Sequence, residues 1–340
     1  MSTRPKRRYS QHGFTIVEIM VSLAIGMLVS ALVVTIFSAS ARTYRVASSV
    51  GDLQETGRVA MEAIERDART SGFRGCNSNN VGNSAPWSNV IAAPVPYLDD
   101  FSANLRGYNN SGASWSPVLP VQVSGAVPAP IAGTDVVVFR VVTGVPIALS
   151  ASMASVNADV PLMSAGNFLM NDRVMLADCS RTSIFKVSAV IGTSLQHDAV
   201  KNATTSLGRA YGEDAIVMPI QTRAYYIGAS SRNPATERSL WVRTDTGVAQ
   251  ELVENVADLQ IQYGEDTNGD FVADRFRRAD TIGTWNNVVA LQVSLLLRGA
   301  RDNETQQITT IVYNGATVTP TDKRLRRAYT ATIQLRNKTL

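Results

Sequence analysis

GFTIVEIMVSLAIGM, residues 13–27, decides how this 340-residue chain is read. A basic leader ends at Gly13, Phe14 opens a long apolar run whose one acid is Glu18, and from Ile19 to Ala41 no residue is charged. As a helix that run is long enough to cross a hydrocarbon core of about 30 Å, so the chain is expected to be anchored in a membrane. The competing possibility is a secretory signal peptide cut after Ala39-Ser40-Ala41. Its apolar region would span only about 7 to 15 residues and would hold no acid. A carboxylate inside a span costs roughly 2.5 to 3.5 kcal/mol on insertion scales and therefore calls for a partner. Cleavage between Gly13 and Phe14 would create one: the new α-amino group of Phe14 on a neighbouring subunit, placed to neutralise Glu18.

Charge supports that topology. Lys and Arg number 32 against 28 Asp and Glu, but Arg4, Lys6, Arg7 and Arg8 lie in the leader, which leaves the rest formally neutral. Under the positive-inside rule these four hold the leader in the cytoplasm and send everything after Ala41 across the membrane. Nucleic acid is not an expected partner, because the remaining Arg and Lys alternate with acids instead of forming a basic stripe. Catalysis finds no pattern either. Histidine occurs only at His12, in the leader, and His197, and no nucleophile elbow, phosphate loop, zinc-protease or dinucleotide fingerprint is present. The pairs Asp99-Asp100 and Glu213-Asp214 read as solvated turn residues. A non-enzyme is expected.

Beyond the span the helical pattern continues. Val46, Val50, Leu53, Gly57, Ala60, Met61, Ile64 and Ala68 recur at three-and-four spacing, with Asp52, Glu55, Arg58, Glu62, Glu65 and Arg69 on the other faces. One helix from Phe14 to about Thr70 follows, stopped by Gly72 and Gly75. The expected organisation is a leader (1–13), a transmembrane half-helix (14–41), an amphipathic half-helix (42–72) and a β-rich periplasmic region (73–340). Residues 77–130 read as irregular. Short β-branched segments then recur: DVVVFRVV, DRVMLADC, SIFKVSAVIG, RAYYIG, SLWVRTD, VADLQIQYG, NVVALQVSLLLRG, QITTIVYNG and AYTATIQLRN. Leu259, Ile261 and Tyr263 should share one face, and Tyr329, Ala331, Ile333 and Leu335 should point inward. The fold class is α+β, an antiparallel sheet packed on the amphipathic half of the helix.

The only cysteines are Cys76 and Cys179. In an oxidising compartment one disulfide is the default, closing a loop of about 100 residues and worth up to ~4 to 5 kcal/mol in the loop-entropy model. No Cys-x-x-Cys or nearby His completes a zinc set. Ion chemistry has one other candidate, the stretch Asp266 to Asp274. Oxygen side chains fall at loop positions compatible with calcium, but Phe271 stands where an EF-hand needs Gly and Arg277 where it needs Glu. Two alternatives stay open: a short calcium loop using Asp266, Asn268, Asp270, the Val272 carbonyl and Asp274, or a metal-free hairpin with a type I′ turn at Asn268-Gly269.

Gly13, Phe14, Thr15 and Glu18 together resemble the cleavage signature of type IV prepilins and type II secretion pseudopilins. The resemblance implies that prepilin peptidase cuts after Gly13 and methylates the Phe14 amine. GRVAMEAIERDARTSGFRGC (57–76), DRVMLADCSRTSIFKV (172–187), AQELVENVADLQIQYGEDTNGD (249–270) and RLRRAYTATIQLRN (324–337) are similar to the PilW family of minor pilins. The stretch ELVENVADLQIQYG is also similar to J-type pseudopilins, whereas chain length, the cysteine contexts and the C-terminal stretch favour PilW. What the resemblance implies is an inner-membrane protein built by its helix into a pilus, with other minor pilins, the major pilin, the inner-membrane assembly platform and a tip adhesin as partners. A periplasmic binding protein held by an uncleaved helix is the alternative from another class.

Overall fold

The structure is a computed structural model that describes residues 13–75, 87–92, 96–101, 103–112, 114–245 and 247–338. It divides into two compact units, one ending at Gly51 and one starting at Asp52. A single α-helix, Ile16–Thr70, contributes to both. Gly72 and Gly75 end it with φ of +78° and +73°, where a side chain would be strained. Gly72 also lies so close to Asn104 that a Cβ would overlap the Asn104 amide.

Within the second unit the helix buries Leu53, Gly57, Ala60, Ile64 and Ala68 of the stripe read from the sequence, and with them Asp67, which that stripe did not include; Met61 is half-buried. That stripe packs on two sheets at once. Val137, Phe139, Tyr225 and Leu240 come from a ten-stranded sheet, while Leu259, Ile261, Val293, Leu295 and Ile333 come from a four-stranded one. In the large sheet the strands run 87–89, 182–186, 173–177, 216–229, 136–142, 105–110 and 115–116. Strands 238–243 and 249–254 branch from the C-terminal half of Ile216–Ala229, and 147–148 pairs with its N-terminal half. Every pair is antiparallel except 87–89 with 182–184. The smaller sheet has the order 275–277, 256–265, 288–298, 326–334, all antiparallel. Helix plus mostly antiparallel sheet is the α+β architecture expected.

A second core fills the region between residues 147 and 217, with Leu149, Val160, Leu176, Phe185, Leu195 and Tyr211 at its centre. His197 sits against it, its Nε2 within 2.8 Å of the Ala158 carbonyl and its ring 5.3 Å from that of Phe185.

Four expectations need correction. Residues 77–130 are not irregular throughout, because Leu105–Asn110 is a strand of the large sheet paired with 136–142. Asp99 is not a solvated turn residue; it is buried and ion-paired with Arg173. SIFKVSAVIG forms two strands, 182–186 and 189–191, that join different sheets. Of the inward set on the last strand, Ile333 and Leu335 are buried, but Tyr329 and Ala331 are only half-buried because that strand is the edge of its sheet.

Candidate functional site

At the N-terminus of the described chain, Gly13 has open space where a Cβ would stand and Phe14 is 84% exposed. The peptide bond between them is accessible. The rest of the expected leader lies outside the described residues. The helix begins two residues on, and its first turn is locked by a reciprocal contact. Thr15 N–H and Oγ1 both donate to Glu18 Oε2, at 3.1 and 3.2 Å, while Glu18 N–H donates to Thr15 Oγ1 at 3.3 Å. This is a capping box, in which a hydroxyl residue and an acid three positions later satisfy each other's orphan amides. The sequence showed the acid and missed its local partner; the Thr-x-x-Glu spacing was the signal. Beyond the cap, the large apolar side chains from Ile16 to Phe37 are exposed. A contiguous apolar surface of that extent needs lipid or another helix against it. Among the described residues this is the one helix long and apolar enough to cross a membrane.

The helix end is fixed to the sheet by a buried acid. Asp67, 2% exposed, accepts from Arg223 Nη1 at 3.1 and 3.2 Å and from the Tyr225 hydroxyl at 2.6 Å. Burial, and then the neighbouring carboxylate, push the Tyr225 phenol well above its ordinary range. A second buried acid joins the two sheets. Asp135 donates its backbone N–H to the Leu259 carbonyl, and its carboxylate accepts from Ile261 N–H (2.8 Å) and Asn109 Nδ2 (2.9 Å). It thereby occupies the edge of strand 256–265 opposite strand 288–298. Burial pushes the Asp135 carboxyl up to about 7, and the charge of Asp258 adds to that while the Ile261 amide opposes it.

The Asp266–Asp274 loop connects strands 256–265 and 275–277, so the hairpin expectation holds in outline. The type I′ turn does not: Gly269 and Phe271 take positive φ, and Asn268 does not. The acids are engaged with the loop itself. Asp266 accepts from the amides of Asn268, Gly269 and Phe271, Asp270 from that of Val272, and Asp274 from the amide and hydroxyl of Thr267. For Asp266, partial desolvation works upward but is outweighed by those amides, which hold its carboxyl below the usual range. The Thr267 hydroxyl and amide do the same for Asp274. Among the described residues no group of three or more His, Cys, Asp or Glu side chains is arranged to hold a metal ion. Asp266, Asn268, Asp270, Val272 and Asp274 form a turn held by carboxylate–amide bonds.

Cys179 is exposed and is not a free thiol. Its expected partner, Cys76, lies outside the described residues. The residues just before the two cysteines do meet. A Cβ on Gly75 would stand 2.9 Å from that of Ala177, and Thr182 Oγ1 donates to the Arg74 carbonyl at 3.0 Å. A cleft of about 290 Å³ opens on the outer face of the four-stranded sheet, lined by Gln262, Gln292, Ser294, Asn314 and Thr330. Its lining is mostly amide and hydroxyl, with Val312 as the one apolar side chain and no titratable one.

Comparison with known families matches two parts of the chain. Residues 8–34 match the prokaryotic N-terminal methylation motif, which takes in Gly13, Phe14, Thr15 and Glu18. Residues 224–337 match the family described as Type IV Pilus-assembly protein W, covering the four-stranded sheet and the strands leading into it. No curated protein and no solved structure matches the chain.

Proposed function

This chain belongs to the PilW family of type IV pilus-assembly proteins, and on that premise we propose that it is a minor pilin acting in pilus initiation and pilus-dependent motility or adhesion. One observation carries the proposal: exposed Gly13 and Phe14 lie directly before a capped helix whose large apolar side chains from Ile16 to Phe37 are exposed. Prepilin peptidase cuts that bond and methylates the Phe14 amine. The helix then holds the subunit in the inner membrane, with the β region in the periplasm, until it docks with other minor pilins, the major pilin, the assembly platform and a tip adhesin. Glu18 serves that docking by meeting the amine of a neighbouring subunit. A Cys76–Cys179 disulfide ties the segment after the helix to the large sheet, an assignment supported by the Gly75–Ala177 and Arg74–Thr182 contacts. The role is structural, with no chemistry of its own.

Mass spectrometry of membrane-extracted protein tests the processing step. It should find an N-terminus at methylated Phe14 and, without reductant, a peptide linking Cys76 to Cys179. An N-terminus at Met1 or after Ala41 would overturn the assignment. Glu18→Ala should still be inserted and cleaved but lost from assembled pili; retention at the wild-type level would remove Glu18 from the docking step.

A further inference from the structure

In the cleft of about 290 Å³ on the outer face of the four-stranded sheet, strand 288–298 supplies Gln292 and Ser294 to the floor, with Gln262 and Thr330 beside them on the flanking strands. Gln262 stands directly opposite Gln292, and Ser294 directly opposite Thr330, so the four side chains share one face as cross-strand neighbours. The wall is the hairpin formed by Ile311–Tyr313 and Ala316–Val318, which brings in Val312 and Asn314. Asn314 and Gly315 both take positive φ, +48° and +74°, as a two-residue type I′ turn requires. Tyr313 is buried and pins the hairpin to the sheet by donating its hydroxyl to the Ser294 carbonyl at 3.1 Å. The polar side chains of the cleft are therefore placed before any ligand arrives.

Those side chains have hydrogen-bonding capacity to spare. Gln262 Nε2 donates to Asn314 Oδ1 at 3.2 Å, which leaves the Gln262 Oε1 acceptor and the Asn314 Nδ2 donor. Among the described residues neither end of the Gln292 amide is bonded. Gln260, two residues before Gln262 on the same face, instead spends its amide on the Gly133 carbonyl and Asp258. The Ser294 and Thr330 hydroxyls lie 3.1 Å apart, so one donor and spare lone pairs remain between them. An ionic ligand would be desolvated with no counter-charge among the lining residues, and an apolar one would strand the amides. The central floor strand is paired on both sides, so the floor offers a peptide no backbone ladder. What fits is a small neutral ligand that donates and accepts at adjacent positions; the volume sits near the lower end of the about 300 to 1,000 Å³ usual for ligand clefts. Vicinal hydroxyls of a sugar ring meet that description, with Val312 against the ring's C–H face.

We propose that this cleft binds a neutral saccharide, held through its vicinal hydroxyls by the Gln292 amide and the Gln262–Asn314 pair. The exported position that brings the cleft to sugars rests on the function proposed above; the cleft itself does not, and the test needs no pilus. The membrane-extracted full chain, held in a zwitterionic detergent that carries no sugar, is titrated with tri-N-acetylchitotriose and with maltotriose by saturation-transfer NMR. At least one should bind. Gln292→Ala, and Asn314→Gly, which suits the turn's positive φ, should each weaken binding about tenfold at an unchanged melting temperature. Gln334→Ala, exposed on the same strand as Thr330 but outside the cleft, should not. Trigalacturonate, a charged trisaccharide, should bind at least about tenfold more weakly than the neutral one. Stronger binding of the acetylated trisaccharide would support the proposal with cell-wall glycan as the source; stronger binding of maltotriose would support it with a neutral hexose polymer. Binding of neither, equal binding by wild type and both cleft variants, or equal binding of trigalacturonate would overturn it.

Discussion

Asp135→Asn should change how the stability of this protein depends on pH. The wild-type carboxyl is 3% exposed, and burial raises it from 3.8 to about 7. Between roughly pH 4 and pH 7 the folded protein thus holds a proton that the unfolded chain has released. Its contribution is fully present below the ordinary carboxylate range and is lost as pH rises through about 7. A rise of about three units at 1.36 kcal/mol each corresponds to ~4 kcal/mol lost across that window. Asp245 and Asp258 are also raised by burial and bend the curve the same way, so the readout is the difference between wild type and variant. The asparagine cannot ionise. It keeps an acceptor for Ile261 N–H but presents donors to Asn109, whose own acceptor is engaged by Arg278. The variant should therefore be less stable than wild type at pH 4.5, by about 1 kcal/mol for one lost hydrogen bond, and gain on it steadily up to pH 8. Urea unfolding of detergent-extracted protein at half-unit steps measures both curves. Parallel curves from pH 4.5 to 8 would show that Asp135 does not carry this proton.

Three more outcomes follow from buried contacts. Asp67→Asn should lower stability by about 2 to 3 kcal/mol, less than for a fully enclosed pair because Arg223 keeps some contact with water; an unchanged urea midpoint would contradict this. Gly57→Ala places a Cβ 2.6 Å from the Tyr329 ring and should cost about 1 to 3 kcal/mol in spite of better helix propensity. Tyr329→Ala in the same chain should restore part of that loss, so strictly additive melting shifts would refute the contact. Asp266→Ala orphans three loop amides and should lower the melting temperature, while calcium and chelator should give the same value. A calcium-dependent rise that Asp266→Ala abolishes would restore the ion site.

The helix and most strands were legible because each repeats one local signal: the three-and-four stripe from Leu53 to Ala68, and β-branched runs such as Val136–Val142. Leu105–Asn110 escaped because its buried positions include Gly107, Asn109 and Asn110, which carry no apolar period. Gly107 is there for Tyr263, whose hydroxyl would overlap a Cβ, and the two asparagines are spent on hydrogen bonds. The Asp67–Arg223 pair joins residues 156 apart, and no local pattern announces such a meeting. In the acidic loop the spacing of oxygens left a turn and an ion site both open, and the structure shows the carboxylates bonded to loop amides. A carboxylate two to five residues before a free amide serves a turn as readily as an ion, and composition alone does not separate the two.

The capping box at the head of the helix bears on reversibility. An acid that already holds Thr15 N–H and Oγ1 does not wait bare in the lipid for a neighbour; it arrives with its hydrogen bonds made. If Glu18 docks onto the amine of another subunit, it trades one set of bonds for another, and the net gain per subunit is smaller than for an unsatisfied charge. The reverse trade is then equally available. On the function proposed above, a subunit leaving its neighbours would close its own first turn again, so the Thr-x-x-Glu spacing suits docking that can be reversed.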